Sequence, residues 1–295
     1  MKPAFTASRT SIKLRGKAVA GAEDRQLKIT GFDQDALCRS SVLCIGAGGL
    51  ISHIAPTLVR KGIGRITLLD GDVVEASNLN RQRFYTKDIG KSKALALAEN
   101  LKPECIATTV IRGIGFRVEE AIARGIDLQC SVVVCGVDNN PARVLASRYF
   151  RFQGTPVIFT GVSRDGDCGY VFVQETCGPC ICCIYPDLAN DDRYPCPGTP
   201  AIADILQAVG SLAVYAVDTL LMRRVRTWNY RRISLSDGSG DGASVIKYRP
   251  GCQMFSFPAT EWWDRIHMRE PELQVEHGEK EYPGDARILS ELDAN

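Results

Sequence analysis

The chain has 295 residues, 45% of them hydrophobic and 24% charged, which is ordinary for a globular protein with a large core. A net charge of +2 gives no global basic field, so no nucleic-acid partner is expected. Twelve cysteines occur without the apolar core of a secretory leader. This disfavours a disulfide framework and leaves cytosolic thiols, a metal site or a catalytic cysteine, with a cytoplasmic location expected.

Residues 1–22 are basic, rich in small residues and without period, and read as a flexible arm. A Gly31-Phe32-Asp33 turn then precedes a short helix. Residues 41–45 (SVLCI) form a short apolar run of the kind that makes a buried parallel strand. Gly46, Gly48 and Gly49 follow at once, where the missing Cβ atoms let the backbone turn and approach a ligand. The helix opening there offers unpaired N–H groups and a positive dipole end, which suit a phosphate. Residues 65–69 read as a second strand, ending in Asp70, about 20 residues after the glycines, where an acid reaches a ribose hydroxyl.

Residues 87–101 read as a turn and an Ala/Leu helix, 106–111 as a β-branched strand and 118–125 as a short helix. Residues 131–135 (SVVVC) read as another buried strand, running into Gly136-Val137-Asp138-Asn139. Pro141 begins a helix to about residue 152, in the favoured first-turn position. A strand over 155–160 completes an alternation that predicts a doubly wound parallel sheet. After Gly161 come a strand at 170–175, a Cys- and Pro-rich segment over 177–200 and an apolar helix over 201–225. Gln207 and Asp218 mark that helix as a core or dimer helix and not a membrane span. Two strands, 230–235 and 244–248, flank a DGSGDGA loop and would extend the sheet with antiparallel strands. The expected fold is α/β, Rossmann-like and mainly parallel. From residue 258 the chain is a polar, acidic tail with Trp262 and Trp263 as candidate anchors.

Gly-x-Gly followed by an acid fits dehydrogenases and ATP users alike. The third glycine of the dinucleotide fingerprint would fall at Ile51, a departure from that pattern. Asn78, Arg81 and Gln82 share one loop and Lys93 starts the next helix. Converging cations suit a triphosphate, whose charge builds on the leaving pyrophosphate. Asp138 follows a strand's C-terminal end, where open α/β sheets bind ligands, and its carboxylate can hold Mg²⁺.

The GAGGL turn, the SNLNRQ segment with Asp70 eight residues before Asn78, Gly90-x-x-Lys93 and Val137-Asp138-Asn139 resemble the MoeB/ThiF/HesA family, the adenylation module shared with ubiquitin-activating enzymes. The resemblance runs from about residue 25 to 252 and implies an adenylation domain over 23–257. It places the ATP α-phosphate by Gly46, Gly48 and Gly49 and the ribose on Asp70. It places the phosphates on Asn78, Arg81 and Lys93, with Ser77, Leu79, Asn80 and Asn139 in the same nucleotide site, and Mg²⁺ on Asp138. Arg25-Gln26 resembles a pair whose arginine reaches the partner subunit's ATP, which implies a homodimer. The implied reaction is attack of a C-terminal glycine carboxylate on the α-phosphorus. That carboxylate would belong to a small ubiquitin-like or sulfur-carrier protein, and no membrane is involved. His53, close to Ile51, is expected to be a satisfied helix residue.

Cys38, Cys44, Cys105, Cys130, Cys135 and Cys168 read as small buried hydrophobes. Cys180-x-x-Cys183 and Cys252 resemble the family's zinc ligands, with Phe255 where the fourth would stand. Three thiolates do not close a structural tetrahedral site, and Cys177 or Cys182 could complete it, or the site is degraded. Cys196, in the loop before the apolar helix, matches a cysteine that forms a covalent carrier intermediate in some members. A thiolate near a helix N-terminus is a plausible nucleophile. Three other readings compete with this one. An enzyme like the tRNA threonylcarbamoyladenosine dehydratase would need a basic surface. An inactive dimeric scaffold would not need Arg25, Arg81, Lys93 and Asp138. A nicotinamide oxidoreductase is the outside case.

Overall fold

The computed structural model describes residues 10–163, 165–190, 201–236 and 241–252. Among them a single sheet runs in the order β1-β4-β3-β2-β5-β6-β7-β8-β9. The strands are β1 (Ser11–Arg15), β2 (Ser41–Ile45), β3 (Arg65–Leu69), β4 (Val110–Ile114), β5 (Val132–Cys135), β6 (Val157–Val162), β7 (Cys168–Gln174), β8 (Tyr230–Ser234) and β9 (Gly242–Ser244). Strands β4, β3, β2, β5 and β6 are parallel. β1 and β7 to β9 add antiparallel margins. The expected α/β fold, parallel at the centre and antiparallel at the edge, is therefore present.

Side chains alternate between faces along each strand, and both faces are covered. Val42 and Cys44 pack under α2 (Gly49–Arg60), α3 (Lys93–Leu101) and α7 (Ala203–Leu221). Leu43 and Ile45 pack against α4 (Val118–Ala123), α5 (Asn140–Phe152) and α6 (Ile181–Ile184). Helix α7 is long and apolar enough to cross a bilayer, yet it lies along α2, β6 and β7. Its Asp218 is buried and pairs with Lys61 at the end of α2.

Three differences from the sequence reading have physical causes. Of the arm expected over 1–22, the described part contains a strand at 11–15, because Ile12 and Leu14 alternate inward against the core while Lys13 and Arg15 stay on the solvent side. Charges on an edge strand also discourage further pairing. The strand expected over 106–111 lies at Val110–Ile114. Residues 106 and 109 instead accept backbone bonds from Val19 and Gly16. Gly113 then sits inside the strand, since a Cβ there would lie 2.7 Å from the Ala94 carbonyl of α3. Finally, Cys38 is exposed and Cys130 only half-buried, because α1 (Gln34–Arg39) turns Leu37 to the core and Cys38 outward. The acidic tail from residue 258 lies outside the described residues.

Candidate nucleotide site and thiol cluster

The chain moves from β2 outward to β3 and β4, then returns to the other side of β2 with β5. The C-terminal ends of β2 and β5 therefore form the topological switch point where such sheets bind ligands. Gly46 takes φ +90°, and a Cβ there would stand 3.3 Å from the Gly136 carbonyl of the facing turn. Ile51, where a third glycine was missing, is fully buried. Its bulk fits because Gly136 lies opposite: a Cβ on Gly136 would be 2.9 Å from Ile51 Cγ1.

Asp70 latches the turn. Its Oδ2 accepts from Ala47 N–H at 2.6 Å and its Oδ1 from Asp72 N–H at 2.7 Å. Burial pushes its carboxyl up, against the pull of Lys93 and of these two N–H groups. Lys93 is set by backbone pairing, its N–H bonding the Asp72 carbonyl at 2.9 Å. The Lys93 ammonium lies 3.2 Å from Asp72, which also meets Arg117 at 3.4 Å. Burial raises the Asp72 carboxyl, but the two cations outweigh it and hold it below the ordinary range.

In the polar loop, buried Asn78 works internally. Its Oδ1 accepts from Glu75 N–H at 3.0 Å, and its carbonyl accepts from the Arg81 and Gln82 N–H groups at 3.2 and 2.9 Å. Leu79 turns into the core. Ser77 donates its hydroxyl to Glu75 at 3.2 Å. Arg81 donates to the Ser77 carbonyl at 2.8 Å and to Asn80 Oδ1 at 2.9 Å. Asp138 is exposed at the end of β5. Asn139 caps α5, accepting from Ala142 N–H at 2.8 Å.

Glycine turn, Asp70, polar loop, Lys93 and Asp138 thus share the C-terminal edge of the sheet. Two residues there were missed from the sequence. Asp72 clamps Lys93. Arg143 donates to the Val137 carbonyl at 3.0 and 3.1 Å and to the Tyr170 hydroxyl at 2.7 Å. The available signal was position: Arg143 lies one turn into the helix that follows Asp138.

Arg25 does not join them. It is exposed, and its neighbour Gln26 donates to the Lys61 carbonyl at 3.1 Å, at the far end of α2. The 12 residues of α2 separate that end from the glycine turn by roughly 18 Å at 1.5 Å per residue.

On the other face of the sheet, Cys180 Sγ lies 3.8 Å from Cys183 Sγ and 3.5 Å from Cys252 Sγ. All three sulfurs fall within 4.8 Å of one another. Gly251, at φ +73°, turns the chain before Cys252. Arg249 N–H approaches Cys183 Sγ at 3.5 Å. Cys177 and Cys182 are not among the three sulfurs that meet, although Cys182 interacts with Cys180 beside them. Cys196 and Phe255 lie outside the described residues. Among the remaining described cysteines, a hydrogen bond with Cys180 holds the Cys182 thiol below its ordinary range, against the effect of burial. Burial pushes Cys44 and Cys105 up, Cys130 to about 12 and Cys135 to about 11.

The sulfur carrier protein adenylyltransferase of Thermus thermophilus is 32% identical over 198 residues, covering 64% of this chain and 72% of its own length. The SAMP-activating enzyme E1 of Haloferax volcanii is 29% identical over 177 residues, and the match covers 59% of this chain and 63% of that enzyme. Escherichia coli MccB, solved with ATP, shares the fold with a TM-score of 0.59 at 21% identity, over 75% of this chain and 68% of its own. The ThiF family model matches residues 23–253, and the chain belongs to the ThiF family.

Proposed function

We propose that the protein is an ATP-dependent adenylyltransferase. It activates the C-terminal glycine carboxylate of a small ubiquitin-like or sulfur-carrier protein. The observation that carries this reading is the convergence at one sheet edge of the Asp70-latched glycine turn, Lys93, the Arg81 loop and Asp138. A hydride-transfer site has no need of that set.

The carboxylate attacks the α-phosphorus and pyrophosphate leaves, forming an acyl-adenylate. Two anions must approach, so the chain's contribution is orientation and positive charge, with no side-chain nucleophile required. The glycine turn and the α2 N-terminus cradle the α-phosphate, Asp70 holds the ribose, and Arg81 and Lys93 hold the outer phosphates. Arg143 braces the turn that carries Asp138 against β7, donating to the Val137 carbonyl and the Tyr170 hydroxyl. Asp138 offers a hard oxygen ligand for Mg²⁺, which when bound would neutralise phosphate charge.

Arg25, held far from its own glycine turn and flanked by exposed Leu27 and Ile29, serves the site of a second copy. The protein works as a homodimer. The thiolates of Cys180, Cys183 and Cys252 would hold zinc, with a fourth ligand beyond these three. A tetrahedral site with Zn–S near 2.3 Å needs S···S of about 3.8 Å, close to the distances around Cys180. Cys196 thiolate then attacks the acyl-adenylate, forming a thioester and releasing AMP. Free thiols fit a cytoplasmic setting.

The test is ATP–pyrophosphate exchange with a small protein ending in glycine. Exchange should require both ATP and that protein. Stabilisation of the fold by NAD and not by Mg²⁺-ATP would sink the proposal. Cys196→Ala should keep exchange and lose any thiol-sensitive conjugate. A conjugate that persists in the mutant removes Cys196 from the mechanism.

A further inference from the structure

His53 is the fifth residue of α2, one turn beyond the glycines. It was expected to be a satisfied helix residue, and it is satisfied, but by the site loop. Its Nε2 lies 3.0 Å from the Arg81 carbonyl and its Nδ1 accepts from Arg83 Nε at 3.3 Å. A carbonyl only accepts, so Nε2 carries the proton and Nδ1 is bare. We propose that neutral His53 is a positioning residue: it ties the loop that carries Arg81 to the helix that carries the glycine turn, and so fixes the spacing of two phosphate-binding elements. This rests on the adenylyltransferase reading.

Asn78 closes the loop on itself through the Arg81 and Gln82 N–H groups. That internal bonding does not set where the loop sits against α2. The His53–Arg81 bond does so directly, at the backbone of the residue whose guanidinium matters. Protonation would aim a second N–H at Arg83 and break the arrangement. Burial of the ring and the Arg83 charge both disfavour that form, while the Arg81 carbonyl pulls the other way, and the net direction is below the ordinary histidine range. Arg83 is the charged group facing the ring from the loop. From α7 the neighbour is Gly210, whose Cβ position lies 3.5 Å from His53 Cβ. On α2 itself, Arg60 is two turns away and engaged with Glu104.

The sign follows from the neutral form being the working one. The loop anchor is complete above the ordinary histidine pKa of about 6.5 and is lost as pH falls through the lower folded value. ATP affinity, measured by calorimetry with Mg²⁺-ATP, is compared for the full-length wild type, His53→Ala and His53→Gln. Amide exchange at Arg81 and Gln82 is followed without nucleotide. His53→Ala should weaken ATP binding about five- to tenfold, the worth of one partly buried hydrogen bond, and speed exchange of both amides. His53→Gln, whose Nε2 can reach the same carbonyl, should bind within twofold of wild type and stay flat as pH falls below the ordinary histidine range, where wild type weakens. Unchanged loop exchange in His53→Ala overturns the proposal, as does faster exchange with unaltered ATP affinity. A wild type that binds no ATP defeats the adenylyltransferase reading instead, and the exchange data still judge the loop anchor.

Discussion

Gly136→Ala tests why this chain can carry Ile51 in its nucleotide turn. The added methyl would sit 2.9 Å from Ile51 Cγ1, 3.2 Å from its Cδ1 and 3.5 Å from Thr160 Oγ1. A helical isoleucine is nearly confined to one χ1 rotamer, so Cγ1 cannot swing away and the backbone must give. Overpacking of this kind costs about 1–3 kcal/mol. Ile51→Ala alone empties a fully buried site and costs about 2–5 kcal/mol. In the double mutant the new methyl occupies part of that space, so the pair should cost at least ~1 kcal/mol less than the sum. Ile51→Val is the graded control. It deletes Cδ1 but leaves a Cγ atom at the tight contact, so it should rescue Gly136→Ala poorly. Urea unfolding of all the variants reads these differences as midpoint shifts at constant slope. Additivity within about 0.5 kcal/mol, or a Gly136→Ala cost below that, would refute the reasoning.

Asp70→Asn should destabilise the fold even without nucleotide. The new amide must point its NH₂ at either Ala47 N–H or Asp72 N–H, which costs about 1–3 kcal/mol. The melting temperature should fall by about 3–9 °C; a change under a degree or so would count against the latch. Protein purified without chelator should hold about one equivalent of zinc, lost in Cys252→Ser, and less than about a tenth of an equivalent ends the metal assignment. Asp88 is buried, which pushes its carboxyl up. Bonds from Asn100 at 2.8 Å, Tyr85 N–H at 3.0 Å and Lys91 at 3.4 Å outweigh this and hold it low. Its stabilisation is therefore complete above the unfolded carboxylate pKa of about 4 and is lost as pH falls through the lower folded value. Wild type should melt above Asp88→Asn at pH 7, and the gap should close in acid. A gap unchanged between pH 7 and 3 contradicts the pairing.

The legible parts of this fold are those decided locally. β2 and β3 fall where continuous apolar runs meet Gly46 and Asp70. The start of α5 follows from Pro141 and an Asn139 cap. β4 was misplaced because the richest β-branched run is not the segment that pairs. Register against β3 chose Val110–Ile114, glycine included. β1 was hidden because its partner lies about a hundred residues away and Lys13 and Arg15 mask a two-residue apolar alternation. In the site, motif residues were readable but their individual tasks were not. Asn78, Leu79 and Asn139 point their side chains into loop, core and helix cap. Asp72 and Arg143 stand outside any motif, and only the packing of β3, β4 and β5 brings them in.

The charges of the site bear on the proposed second copy. Lys93 is paired with Asp72, Arg81 bonds Ser77 and Asn80, and Arg143 bonds the Val137 carbonyl. The cations that would receive a triphosphate are thus already engaged, and Asp70, Asp72 and Asp138 add negative charge to the same edge. A substrate with four charges, approached by a carboxylate, calls for positive charge beyond these side chains, which bound Mg²⁺ would supply in part and a further arginine can add. Arg25 can supply it only from another molecule, because Gln26 moors its turn to the wrong end of α2. If so, Arg25→Ala and Lys93→Ala subunits, each inactive alone, should regain up to about a quarter of wild-type exchange when mixed, because a quarter of the sites then combine both native residues. Absence of rescue after confirmed subunit mixing would place Arg25 outside the site.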